Sequence, residues 1–238
     1  MKDHKNIPAG DDSEQDEKIE DIMRARDRLD KILQEKFVKR MTIVFTDVCG
    51  YTKYMDTRGD IAGRAWMQKH NDIVLPLIEK NKGKVLTLMG DGVMSSFEET
   101  EDAVKACIDI QKGLVEYNRT SEPADALHVT IGINTGEILV DSDHIAGDVV
   151  NTASRIETKA SPDQILISQS TYNDVRGSTE ILCRQHESVQ VKGKDEPLEL
   201  YRVVWQDNDI VVSPTQRVRS GDTWSDRRLL DRPSVLQL

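Results

Sequence analysis

The order of apolar and polar positions divides the chain into a leader, a string of alternating elements and a tail. Residues 1–18 are polar, with Pro8-Ala9-Gly10 as a breaker, and predict a disordered acidic leader. Ile19, Ile22, Leu29, Ile32, Leu33 and Phe37 then recur at helical spacing among charges, giving an amphipathic helix over 19–38. Its two to three imperfect heptads leave two readings open, a dimerising or signalling helix and a helix lying on its own domain.

From 39 to 206 the period switches repeatedly, as in one mixed domain. Thr42-Ile43-Val44-Phe45 is an apolar run of strand length that ends at Asp47. Ile61, Trp66, Ile73 and Leu77 place a core-facing helix over 60–80. Residues 84–89 and 93–97 read as a hairpin across Gly90-Asp91-Gly92. A helix over 100–117 is expected to bury Val104, Cys107, Ile108, Gln111, Leu114 and Val115. Residues 127–134 and 137–140 read as two strands turning at Thr135-Gly136. A helix over 148–158, a strand over 164–167, a helix over 168–176 and a closing hairpin of 181–191 with 198–204 complete the series. This order predicts an α+β sandwich with a largely antiparallel sheet. Residues 207–238 lose periodicity, balance five aspartates against five arginines, and predict a disordered tail.

Composition narrows the class. At 238 residues there is room for one ordinary domain with flanking segments. A net charge of −10 argues against a nucleic-acid binder. Three cysteines without tight spacing suit reduced thiols in a cytoplasmic protein. No apolar run approaches the roughly 18 residues of a membrane span, so no membrane insertion is expected.

The candidate chemistry sits at element ends. Asp47 closes an apolar strand and Asp91 tips a hairpin; two carboxylates so placed can hold a pair of divalent cations around a phosphoryl transfer. Asn151 and Arg155, four apart, share a helix face from which they can contact a sugar and a phosphate. Each piece alone has a plainer reading: Asp47 as a turn former, Gly90-Asp91-Gly92 as ordinary hairpin chemistry, Asn151 and Arg155 as a solvated face.

Their order changes the odds. FTDVCGYT, the GDG hairpin, IGINTGE, GDVVNTASRIE, QILISQSTY and VKGKDEPLELYRV follow one another from Met41 to Val204. Over that stretch, about two thirds of the chain, the sequence resembles the catalytic domain of class III nucleotidyl cyclases, the adenylate and guanylate cyclase family. The resemblance implies a ferredoxin-like βαββαβ core and a homodimer. It also implies conversion of a nucleoside triphosphate to its 3′,5′-cyclic monophosphate and pyrophosphate. Asp47 and Asp91 match the family's metal-binding aspartates, and the Val48 carbonyl a further ligand, for two Mg2+ or Mn2+ ions. Cys49, Gly50, Tyr51 and Thr52 match the loop that binds the β- and γ-phosphates, Cys49 itself reading as a small filler. Lys192 matches a triphosphate contact, Arg155 the arginine that stabilises the transition state, and Asn151 the residue that orients the ribose.

Three positions depart from the family pattern. Thr87 stands where a base-reading lysine or glutamate is usual, and His144 stands at its partner position. The arm between Gly136-Glu137 and Gly147 is short, and a one-residue shift there presents Asp143 instead. Thr130 replaces a second phosphate-binding arginine. Without the Glu/Cys pair of guanylate cyclases, ATP is favoured over GTP. A guanylate cyclase and a catalytically silent module of the same fold remain the alternatives. A diguanylate-cyclase-like domain lacks its Gly-Gly-Asp/Glu-Glu-Phe hairpin here.

Overall fold

The computed structural model describes residues 12–141, 144–186, 188 and 197–206. The chain divides into two units, Met1–Trp205 and Gln206–Leu238, and every element named below belongs to the first. Helix α1 (Asp12–Phe37) runs directly into β1 (Val38–Val48). It starts at Asp12, ahead of the apolar pattern. Its apolar residues stay open, from 39% exposed at Phe37 to 69% at Ile22, so the stripe is not buried against its own domain.

The remaining strands are β2 (Lys84–Met89), β3 (Gly92–Phe97), β4 (Val129–Asp141), β5 (His144–Ala146), β6 (Ile165–Ser168), β7 (Leu182–Gln185) and β8 (Leu200–Val204). They form one sheet in the order β2-β3-β1-β4-β6-β8-β7, with β5 beside β4. All pairings are antiparallel except β4 with β6. The α+β class and largely antiparallel sheet are those the sequence predicts.

Period-2 alternation along β1 sorts the layers. Val44 and Val48 join the large core made with α3 (Asp60–Lys80) and α4 (Thr100–Thr120). Ile43 and Phe45 point the other way, into a smaller cluster with Ile138 and Ala153 of α5 (Asp148–Glu157). Asp47 shares their parity, so it lies on the α5 side of the sheet. Helix α4 is turned slightly from its expected face: Ile110 is fully buried, while Ile108 and Val115 lie at the margin.

One expectation fails. Thr135-Gly136 is no turn; β4 runs through it as one strand of 13 residues, paired with β1 from Val129 to Leu139. Gly136 is there for clearance, not curvature: a Cβ on it would lie 2.7 Å from Val149 Cγ2 of α5.

A file of buried hydroxyls stitches the layers together behind β4. Thr42 donates to Thr100 (3.0 Å), and Thr100 donates to the Asp174 carboxylate (2.9 Å). Thr42 lies 2.9 Å from Thr135, Thr135 3.0 Å from Thr171, and Thr171 3.1 Å from Ser168. Each hydroxyl has one proton, and the carboxylate can only accept, so the donors all point toward Asp174. Arg40 closes the file with a 2.9 Å ion pair to Asp174.

Candidate active site

The site begins where β1 ends. Asp47 is registered against Gly92 on one side and Thr130 on the other, at the seam of β3, β1 and β4. The hairpin turn Gly90-Asp91 is folded back onto this seam, because the Val48 N–H donates to the Asp91 carbonyl at 3.0 Å. Gly90 takes φ 54 at the first turn position, where glycine costs least. Gly92 allows the close approach: a Cβ there would sit 2.5 Å from the Thr46 carbonyl oxygen. Residues 44 apart in the sequence thus bring two carboxyl groups together.

Electrostatics mark the pair. Burial, then the neighbouring Asp91 and Glu157, push the Asp47 carboxyl up to about 7. Glu157, the last residue of α5, is likewise raised by burial and by Asp91, against a hydrogen bond that Thr130 donates to it. The sequence reading gave Glu157 no role, although it stands in ASRIE two places after Arg155. The structure makes it a third acid beside the aspartates, held by Thr130.

These donors fit divalent cations. Hard carboxylate oxygens crowded together, with no cation acting on Asp47 among the described residues, are what Mg2+ or Mn2+ relieves. Among the described residues no group of three or more His, Cys, Asp or Glu side chains is placed to hold an ion. A cation here therefore depends on Asp47, Asp91, a main-chain carbonyl such as that of Val48, and oxygens brought by a ligand.

The loop after Asp47 opens helix α2 (Tyr51–Arg58) through Gly50 in the left-handed region, φ 80. The Cys49 N–H is used internally, donating to the His128 carbonyl at 2.8 Å. Tyr51 and Thr52, in the helix's first turn, keep N–H groups without intrahelical partners. Burial raises the Cys49 thiol to about 11, so it is a neutral filler rather than a nucleophile. Tyr54 anchors the helix: its ring stacks on Trp66 with centroids 4.3 Å apart, and its hydroxyl donates to Asp125 at 2.9 Å.

Asn151 and Arg155 stand apart from the carboxylates. Taking Val149 as facing β4, steps of about 100° place them roughly 200° and 240° round the helix. They point away from their own sheet; Asn151 is exposed and Arg155 half-buried. Neither forms an ion pair or side-chain hydrogen bond among the described residues. Thr87 is exposed on β2, across from Met94. His144 is the first residue of β5, backbone-paired with Asp141, and its side chain lies outside the described residues. Asp143 and Lys192 also lie outside them.

Residues 33–204 match the adenylate and guanylate cyclase catalytic domain family. The chain belongs to that family. It is 31% identical over 187 residues to an adenylate cyclase of Anabaena cylindrica, covering 69% of this chain and 37% of that one. It is 28% identical over 172 residues to a Rhizobium meliloti (strain 1021) protein named as an adenylate cyclase, covering 72% of this chain and 29% of that one. The chain therefore spans little more than a third of these relatives at most. An adenylyl cyclase structure from P. aeruginosa superposes with a TM-score of 0.63 at 26% identity, covering 73% of this chain and 98% of that one. No helix among the described residues is long and apolar enough to cross a membrane.

The metal-free protein carries a pH signature. The Asp47 carboxyl titrates near 3.8 when unfolded and about 7 when folded. Between those values the unfolded chain ionises while the folded one keeps its proton, so this group's favourable contribution, full below about 4, is lost as pH rises through about 7. In EDTA, Asp47→Asn should match wild type in Tm near pH 4, gain on it up to about pH 7 and hold a constant lead above that. A Tm difference constant across that range removes the crowding.

Proposed function

We propose that the protein is a homodimeric class III cyclase that converts ATP to 3′,5′-cyclic AMP and pyrophosphate. The observation that carries the reading is the close pair Asp47 and Asp91, on a family catalytic domain whose Asn151 and Arg155 face outward. Asp47 and Asp91, with the Val48 carbonyl, would hold two Mg2+ or Mn2+ ions, which supply neutralisation of the triphosphate and a lower pKa for the ribose 3′-hydroxyl. The 3′-oxygen forms a bond to the α-phosphorus as the bond to pyrophosphate breaks, and the hydroxyl proton is given up to solvent. Arg155 stabilises the negative charge that grows on the α-phosphoryl oxygens, and Asn151 holds the ribose in line. Because α5 turns both outward, they serve the carboxylates of a second copy, and the open apolar stripe of α1 offers that copy further contact. Tyr51 and Thr52 offer backbone N–H groups to the terminal phosphates, with Lys192 as a cation.

The decisive assay is purified protein with ATP or GTP, in Mg2+ or Mn2+, with products separated by chromatography. Cyclic AMP formation supports the reading; no cyclic product under any combination sinks it. Silence would favour the second reading, a nucleotide-binding module, for which one observation speaks: among the described residues Glu157 is held by Thr130 and not by the cation a triphosphate site would want.

Base choice is expected to be loose. Thr87 and His144 do not form the Lys–Asp type of base reader, and a neutral imidazole can donate or accept. ATP should be preferred over GTP in kcat/KM by less than about 10³, short of a dedicated hydrogen-bonding pocket. A much larger ratio would assign base reading to another residue, with Asp143 the first to test.

A further inference from the structure

Helix α5 meets the sheet in an unusual way. The middle positions of β4 on this face are Gly132, Asn134 and Gly136, alternate residues flanked on the same face by Thr130 and Ile138. A Cβ on Gly132 would lie 2.2 Å from the Glu157 backbone nitrogen and 2.6 Å from the Ala153 carbonyl oxygen. A Cβ on Gly136 would lie 2.7 Å from the Val149 side chain. Val149 to Glu157 is about 12 Å of helix at 1.5 Å per residue, and Gly132 to Gly136 about 13 Å of strand at 3.3 Å. The helix therefore lies lengthwise and antiparallel on β4, its first turn over Gly136 through the Val149 side chain and the backbone of its last turn against Gly132.

The glycine rail gives close approach, and side chains fix slide and rotation on it: Thr130, on the same face of β4, donates to the Glu157 carboxylate at the last turn, and Val149 seats over Gly136 at the first. Asn134 stands between the two glycines. It is 7% exposed, and its Nδ2 donates to the Val149 carbonyl at 3.0 Å. A carbonyl can only accept, so the amide nitrogen must be the end that faces it. The Oδ1 end lies 3.4 Å from Ser170 Oγ, which itself donates to the Thr135 carbonyl at 2.6 Å.

We propose that Asn134 is a positioning residue for Asn151 and Arg155: its bond to Val149 pegs α5 at one place on the glycine rail, and so sets where the two outward side chains stand. The role is distinct from contact with nucleotide, because Asn134 sits beneath the helix while Asn151 and Arg155 leave its opposite face. It rests on the cyclase reading only for its kinetic consequence.

The test compares wild type with Asn134→Leu, of similar volume but without a donor, and with Asn134→Ala. Hydrogen exchange of the full chain should show faster exchange in the amides of 148–157 in both variants, while β1 and α4 keep wild-type protection. With ATP and Mn2+, kcat should fall roughly ten- to a hundredfold with KM within about twofold, since a misplacement near 1 Å commonly costs about 10² in rate. Asn134→His, which keeps a ring N–H at similar reach, should recover most of both losses. Unchanged α5 exchange in Asn134→Leu and Asn134→Ala overturns the peg, and so does a loss of protection spread evenly over the domain, which marks a general stability role. If Asn134→Leu does not fold, Asn134→Ala decides by the same two readouts. An inactive wild type would sink the cyclase reading and leave the exchange comparison to decide the peg by itself.

Discussion

Asp47→Ala and Asp91→Ala should each leave less than about 1% of wild-type turnover with the domain still folded. Both side chains stand at the seam of β3, β1 and β4 without filling the core. Removing one deletes a ligand to the proposed cation pair, and losing a single preorganised charge-stabilising group already costs about 10²–10³ in rate. Stability should move the other way. Asp47 is held against burial, Asp91 and Glu157, so its removal relieves repulsion in the metal-free protein at neutral pH. The measurement is cyclic AMP formation alongside Tm in EDTA. A folded variant that keeps more than a few per cent of activity rules out the two-metal assignment.

Mixing two dead variants should restore activity. Asp47 belongs to the sheet seam, whereas Asn151 and Arg155 leave the far side of α5, and an isologous dimer presents each surface to the other's. Asp47→Ala and Arg155→Ala then fall in the same composite site of a mixed dimer, leaving its second site wild type. With random exchange half the dimers are mixed and each has one good site of two, so activity should rise toward about a quarter of wild type. Native mass spectrometry would establish exchange independently. A mixture that exchanges but stays inactive means that each site is built within one chain.

The two aspartates, the asparagine and the arginine could be picked out from the sequence because each belongs to a short local signal. An apolar run ending in Asp, a Gly-Asp-Gly tip and an i, i+4 pair on an amphipathic helix need no tertiary information. Glu157 escaped because nothing local sets it apart from a surface glutamate. Its neighbours Thr130 and Asp91 are 27 and 66 residues away, and only folding brings them near. Thr135-Gly136 misleads for the same reason: in isolation the pair looks like a turn, and the strand continues because β1 pairs with it on both sides of that point.

Local periodicity was enough to settle α3, the β2–β3 hairpin and the α+β class, since burying a stripe or a face is a property of each segment by itself. The helix register of α4 and the length of β1 needed their packing partners. What only the tertiary structure decided is direction: which side of the sheet Asp47 takes, and that α5 rests on bare glycine backbone with Asn151 and Arg155 turned outward. Direction depends on contacts between distant segments, and the glycines that permit this contact carry no side chain through which a sequence could announce it.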